Sequence, residues 1–120
     1  IYTLSLHDAL PIYASVVLTS KTALPIARSS KLLLLAAAQA RNTGMAYNVA
    51  STSVAVEGTA PVLAEPVIGT VSFKTDKTTL KLYPINVNGT RQAGIAIPIV
   101  DGAAVVRLLA SYKTLFYEIE

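Results

Sequence analysis

The chain has 120 residues, of which ten are Lys or Arg, seven are Asp or Glu and 52% are hydrophobic, giving a formal net charge of +3. This size suits one domain with a buried core. The basic residues are spread singly from Lys21 to Lys113, which argues against a nucleic-acid-binding stripe. Because the chain has no cysteine, a disulfide framework and a thiolate metal site are excluded.

The first twelve residues read IYTLSLHDALPI and contain the only histidine, His7, together with Asp8. No Lys or Arg precedes Lys21, so the stretch lacks the basic start of a secretory signal. The whole stretch resembles one translated reading frame of a sequencing-library adapter; the alternative is a native amphipathic start. We therefore expect residues 1–12 to be non-native and residues 13–120 to form a single β-sandwich domain fragment, open at its N-terminal side.

The segment SVVLTSKTALPIARSSKLLLL contains two apolar runs separated by polar residues and a proline. This pattern predicts a β-hairpin. Its tetrapeptide Ala23–Ile26 repeats the letters ALPI of the adapter-like stretch, so it is either a second adapter junction or native. The hairpin pattern favours the native interpretation.

The second of these runs, LLLLAAA, has two interpretations. Ser30 as an N-cap and Gly44 beyond the end favour a helix. The neighbouring apolar segments are short, β-branched or aromatic, and bounded by Gly, Pro, Asn or Asp, which favours a buried strand. We predict the strand. The run is also far shorter than the ~20 residues of a membrane helix, so we predict no membrane span.

Two segments in the middle of the chain are less regular. NTGMAYN, residues 42–48, is typical of a loop that turns at Asn-Thr-Gly. EGTAPVLAEP contains Pro61 and Pro66, which hold the backbone extended. We expect both to be loops, where functional residues often lie.

The C-terminal half shows clearer strand signals. In TLKLYP, Leu80 and Leu82 point to one side while Lys81 and Tyr83 point to the other, as in a half-buried strand. Asn88-Gly89 then predicts a tight hairpin turn with positive φ at both central residues.

A return strand is predicted in AGIAIPIV. Ile95, Ile97 and Ile99 would share one face with Pro98 on the other, and the proline favours an edge position. Asp101-Gly102 predicts a second tight turn, leading into the strand AAVVRLL.

The last run, TLFYEIE, alternates in the same way. One face carries Leu115, Tyr117 and Ile119, and the other carries Phe116, Glu118 and Glu120, whose acids would face solvent or a neighbouring domain. With SVVLTS, STSVAVEG and VIGTVSF, short strands recur at the spacing of a sandwich. The sequence therefore predicts an all-β fold, an antiparallel β-sandwich.

Few residues can support catalysis. Without His7 the chain has no histidine, which removes Ser-His-Asp and Cys-His arrangements and His-rich metal sites. Glu57 and Glu65 are the nearest internal carboxylates flanked by loop residues, and glycosidases use such pairs, but two solvated acids are the simpler interpretation. We predict no catalytic residue, no metal, no cofactor and no enzymatic activity in this chain.

Sugar binding is the remaining possibility in the residues themselves. Carbohydrate sites on β-sandwiches use exposed aromatic rings, and Tyr83 and Tyr47 are the candidates. A half-buried tyrosine that packs on its own sheet is the simpler interpretation, so the binding residues stay unassigned.

Several segments carry a resemblance: PIARSSKLLLLAAAQARNTGMAYN, GTAPVLAEPVIGTVSF, LKLYPINVNGTR and YKTLFYEIE. Together they are similar to the C-terminal β-sandwich region of large secreted bacterial glycoside hydrolases, over residues 14–120. The resemblance implies a non-catalytic accessory domain that packs against an upstream catalytic domain of the same chain and stabilises it. It also implies an extracellular or periplasmic location and a bacterial source. Polysaccharide is a further partner under the carbohydrate-binding alternative, and the spread of the basic residues predicts no nucleic-acid partner.

Two alternatives to the accessory domain remain, and each of the three roles predicts a different observable feature. An accessory domain would show a contiguous exposed apolar patch. A carbohydrate-binding module would show coplanar exposed tyrosine rings beside polar groups. A repeat of a bacterial surface adhesin would have tandem copies in the intact gene.

Overall fold

We describe the fold from a computed structural model that covers residues 14–50 and 52–120, together with the backbone of residues 2–5. The prediction that residues 1–12 are non-native falls mainly on residues outside this description. The elements in chain order are β1 (Tyr2–Ser5), β2 (Ser15–Ser20), a 3-10 turn (Ile26–Arg28), β3 (Leu32–Ala37), β4 (Ala40–Thr43), β5 (Ala46–Tyr47), β6 (Val54–Val56), β7 (Thr59–Ala64), β8 (Gly69–Lys74), β9 (Lys81–Pro84), β10 (Ile95–Ala96), β11 (Ile99–Val100), β12 (Ala103–Leu108), a second 3-10 turn (Ala110–Tyr112) and β13 (Phe116–Ile119).

The strands form two main sheets. The first sheet has the order β1-β8-β12-β11, and the second has the order β10-β9-β13-β3-β2. All pairings are antiparallel. Two further pairs, β4-β7 and β5-β6, form separate two-stranded ribbons. The prediction of an all-β, sandwich-like fold is confirmed.

The core lies between the two main sheets. Each sheet directs every second side chain of its strands into this core. Almost completely buried there are Val71 and Phe73 of β8 and Tyr117 and Ile119 of β13. The alternation arises because successive side chains of a strand point to opposite faces. These side chains join one cluster that also includes Leu34.

The run LLLLAAA forms the centre of this core as strand β3, not as a helix. β3 pairs with β2 on one side and with β13 on the other. This pairing and the burial outweigh the helix propensity of Leu and Ala. The β2–β3 hairpin is confirmed as well, and its connection is anchored by the buried Ser29, whose hydroxyl lies 2.9 Å from that of Thr22.

The turn at Asn88-Gly89 differs from its prediction. The N–H of Gly89 donates to the carbonyl of Asn86, and the N–H of Asn86 donates to the carbonyl of Thr90. The loop therefore has three residues, Val87 to Gly89, and only Gly89 has positive φ. This three-residue connection is a common alternative to the two-residue turn. At Asp101-Gly102 the two-residue turn is confirmed, with positive φ at both residues.

The run AGIAIPIV is not a single strand. Ile95 and Ala96 form β10 on the second sheet, whereas Ile99 and Val100 form β11 on the first. The chain crosses between the sheets at Ile97 and Pro98, because proline has no N–H for a continuous ladder. The predicted edge position is correct for both short strands.

The two segments predicted as loops contain strands. NTGMAYN supplies the end of β4 and the whole of β5, and EGTAPVLAEP supplies β7. We call residues 39–66, which carry both ribbons, the arm. A close backbone approach shapes the arm at Gly58, which has φ +75; a Cβ there would lie 2.5 Å from the carbonyl oxygen of Thr43.

Candidate interaction surface

The arm is apolar and yet exposed. Among its described residues none is buried, and all six residues of β7 are exposed. Val62 is 67% exposed and Leu63 is 53% exposed, although neighbouring strand residues point to opposite faces. Both faces of the ribbon therefore present apolar side chains to solvent.

An apolar cleft of about 560 Å³ lies between the arm and the sandwich. Its wall on the arm comprises Val62, Leu63, Ala64 and Pro66, and its wall on the sandwich comprises Ile85, Asn86, Val87, Ala110, Lys113, Thr114, Leu115 and Phe116. Phe116 is 47% exposed there, and Val87 is fully exposed. The cleft is within the size range of ligand sites and is mostly apolar, with Lys113 as the single charged side chain of its wall.

The acids of the last strand form ion pairs within the chain, on the outer face of the second sheet. Glu118 accepts hydrogen bonds from Lys21 Nζ at 3.1 Å and from Arg91 Nε at 2.7 Å. Glu120 accepts from Arg91 at 2.8 Å and lies 3.7 Å from Lys31 Nζ. The expectation that these acids point away from the core is confirmed, and their partners belong to this chain.

These contacts shift the pKa values of the carboxyl groups. The hydrogen bond from Lys21, assisted by that from Arg91, lowers the pKa of Glu118. The hydrogen bond from Arg91 lowers the pKa of Glu120. The charged form of both acids is therefore stabilised by cations of the same chain.

The two tyrosines considered for sugar stacking lie on different ribbons and sheets. Tyr83, on β9, has the guanidinium of Arg91 4.6 Å from its ring centroid and packs closely on Gly94. Tyr47, on β5, has the guanidinium of Arg41 5.1 Å from its centroid. Both rings are half-buried. A cation thus covers one face of each ring, the kind of face on which a sugar would stack.

The remaining described tyrosine side chains belong to the core region. Tyr112 and Tyr117 pack edge to face with centroids 6.1 Å apart. Burial raises the pKa of Tyr117 to about 12. Neither forms an exposed platform with the two rings above, because Tyr117 is 2% exposed and Tyr112 packs against the core cluster.

Glu57 and Glu65 lie at opposite ends of β7. Glu57 precedes the strand and Glu65 follows it. β7 is not fully extended, because its six residues pair with the four residues of β4 across a register shift. The side chain of Asn42 donates to the carbonyl of Glu57, and the N–H of Glu65 donates to the carbonyl of Gln39. The two acids therefore lie at opposite ends of the β4–β7 ladder.

Two other classes of site are absent from the part of the chain that the structure describes. No group of three His, Asp or Glu side chains there is arranged to hold a metal ion. No helix in that part is long and apolar enough to cross a membrane.

Sequence reasoning missed the cleft between the arm and the sandwich. Its walls come from distant parts of the chain, the PVLA segment and the residues around Val87 and Phe116, which only the tertiary fold brings together. A signal was present in PVLA, where adjacent apolar residues occupy both faces of a strand. Such a strand needs covering on both sides.

No protein-family model, curated protein or solved structure matches this chain.

Proposed function

We propose that this chain is a non-catalytic accessory β-sandwich domain of a secreted carbohydrate-active enzyme, a glycoside hydrolase. In this role it packs against the catalytic domain of the same polypeptide and stabilises it. The observation that carries the proposal is the apolar arm, whose described residues are all at least partly exposed.

A two-stranded ribbon by itself is only marginally stable. A ribbon that packs on nothing gains little from burial, while ordering its backbone costs conformational entropy. Val62 and Leu63 stand on opposite faces of such a ribbon, and both are more than half exposed. A contiguous apolar surface of this kind is typical of an interface with another domain.

The surface supports this role over sugar binding. A sugar-binding site needs free aromatic faces, and Arg91 and Arg41 each cover one face of the two candidate rings. The connection to glycoside hydrolysis rests on the resemblance of segments such as GTAPVLAEPV and YKTLFYEIE. The extracellular or periplasmic location and the contact of the parent enzyme with polysaccharide rest on the same resemblance.

The test begins with the source gene, read upstream of Tyr13 after adapter sequences are trimmed. We expect a reading frame that encodes a catalytic domain with paired carboxylates. The intact enzyme is then expressed with and without residues 14–120, and the thermal midpoint of its catalytic activity is measured. We expect the midpoint to fall when the domain is removed, because the docked interface is lost.

A matched pair of variants locates the interface within the intact enzyme. The double variant Val62→Ser and Leu63→Ser removes apolar contacts from the arm. Val17→Ser makes a similar change at a side chain that is 50% exposed on the outer face of the second sheet. We expect only the arm variant to lower the midpoint. Equal midpoints for all forms, or an upstream reading frame without a catalytic domain, would overturn the proposal.

A further inference from the structure

The register of the arm determines which main-chain groups of β7 are free to pair. The N–H of Glu65 donates to the carbonyl of Gln39 at 2.7 Å, which makes these two residues a hydrogen-bonded pair. In an antiparallel ladder, hydrogen-bonded and non-bonded pairs alternate. The pairs Ala40–Ala64 and Asn42–Val62 are therefore non-bonded pairs. Val62 and Ala64 direct their N–H and C=O groups away from β4.

The cleft lies on that same side of the ribbon. β7 and the residue two positions beyond it contribute Val62, Leu63, Ala64 and Pro66 to its wall, whereas β4 contributes no residue. Three consecutive residues border a cleft when the edge of a strand faces it, since a single face would present only every second residue. Among the described residues no strand pairs with this outer edge of β7, and the edge faces the apolar cleft.

The opposite wall adds one positive charge. Lys113 directly follows the second 3-10 turn and has a left-handed backbone conformation, with φ 52 and ψ 44. Among the described residues it has no ion pair within 4 Å, and no acid lines the cleft. An occupant that carries an acidic group at this point would complement the charge.

We propose that the free edge of β7 pairs with an extended peptide segment of the partner domain. The main chain of that segment forms hydrogen bonds with Val62 and Ala64, its alternate apolar side chains enter the cleft, and an Asp or Glu lies opposite Lys113. This combination of an open strand edge, apolar walls and a single charge recognises an extended peptide. The identity of the partner as the catalytic domain rests on the proposed function; the pairing mode does not.

The test uses a phage-displayed library of random peptides, selected on the purified 120-residue chain. We expect the enriched sequences to alternate apolar with other residues and to carry an acidic residue at a constant position. The affinities of individual synthetic peptides are then measured by fluorescence polarisation against the chain and its variants. A selection that yields no binders, or binders without alternation, overturns the proposal.

Ala64→Pro removes the outward N–H of β7 without removing a hydrogen bond of the β4–β7 ladder. We expect binding to weaken by about tenfold. Ala96→Pro is the matched control. Ile97 donates to Leu80, so Ala96 on the edge strand β10 also directs its N–H outward, but it lies outside the cleft. We expect this control to bind as the parent chain does.

Lys113→Glu is a second variant that leaves both ribbons unchanged. We expect it to disfavour the acidic peptides, and a new selection on it to enrich basic residues at the same position. Circular dichroism melts verify that each variant is folded. Unchanged affinity in Ala64→Pro overturns strand pairing, and unchanged affinity in Lys113→Glu overturns the acidic contact. Either result leaves the accessory-domain role intact, since the thermal midpoint of the intact enzyme tests that role separately.

Discussion

Two apolar strands of equal length, β3 and β7, differ in how deeply their side chains are buried. β3 reads LLLLAA and β7 reads TAPVLA, each with six residues. In β3, Leu32 is 1% exposed and Leu34 is 0% exposed, whereas in β7, Val62 is 67% exposed. The difference lies in their neighbours. β3 has a strand on each side and a second sheet above it, while β7 pairs with one strand and faces a cleft. Strand formation and burial are therefore separate properties, and only burial adds hydrophobic stabilisation.

The largest expected effect is in the sandwich. Leu34→Ala removes a fully buried side chain from the centre of β3, and we expect the free energy of unfolding to fall by about 2–5 kcal/mol. Urea unfolding followed by far-UV circular dichroism measures the change. A loss below about 1 kcal/mol would mean that the two sheets do not pack tightly around β3.

The second effect concerns the backbone of the arm. Gly58→Ala places a Cβ 2.5 Å from the carbonyl oxygen of Thr43 and 2.7 Å from the N of Met45, at a φ of +75. We expect the ribbon to open more easily by about 1–3 kcal/mol, because strain and a backbone clash act together. Hydrogen exchange should show faster exchange in β4 and β7 and unchanged protection in β3.

Gly44→Ala is the control for this change. Gly44 also has φ +75, but no atom lies within 4 Å of the position of its Cβ. Gly44→Ala therefore introduces backbone strain but no steric clash. We expect a smaller increase in the hydrogen-exchange rate of the ribbon, corresponding to about 1 kcal/mol. Equal effects of the two variants would show that the close approach at Gly58 is unimportant.

The contrast between strand formation and burial also explains which features could be predicted from the sequence. Alternation placed Leu82 and Tyr117 in the core correctly, because a period of two is a local property of one strand. It did not show that AGIAIPIV divides between two sheets, since that depends on which ladders the edge residues join. It also did not show that Glu118 and Glu120 meet Arg91, whose position depends on the turn before β10. The cleft was missed for the same reason, because no local pattern joins PVLA to Phe116.

The third effect is a pH dependence that arises from Glu118 in the sandwich. Hydrogen bonds from Lys21 and Arg91 hold the pKa of Glu118 below its ordinary value in the folded chain. The unfolded chain then binds more protons between the two pKa values, so stability rises with pH across that window. We expect the contribution of Glu118 to be present above about pH 4.5 and to be lost as the pH falls through the folded pKa.

Glu118→Gln tests this pH dependence. We expect the variant to show a smaller loss of stability between about pH 6 and pH 3 than the parent chain. Val17→Ser, at an exposed side chain of β2 that does not titrate, should leave the slope unchanged. The effect should be small because these groups are partly solvated. Identical slopes for all three proteins would show that the ion pairs of Glu118 do not persist in solution.

The smallest expected effect is at the most apolar part of the arm. Val62→Ala removes two methyl groups, as a core truncation would, but the side chain is 67% exposed in the free chain. Because little area returns to water on unfolding, we expect the free energy of unfolding to change by less than about 0.5 kcal/mol. Urea unfolding of the isolated chain measures this directly beside Leu34→Ala. A loss above about 1 kcal/mol would mean that Val62 is already covered when the chain is alone. In that case the cleft would be closed in solution, and the arm would belong to the core of this domain and not to its interface.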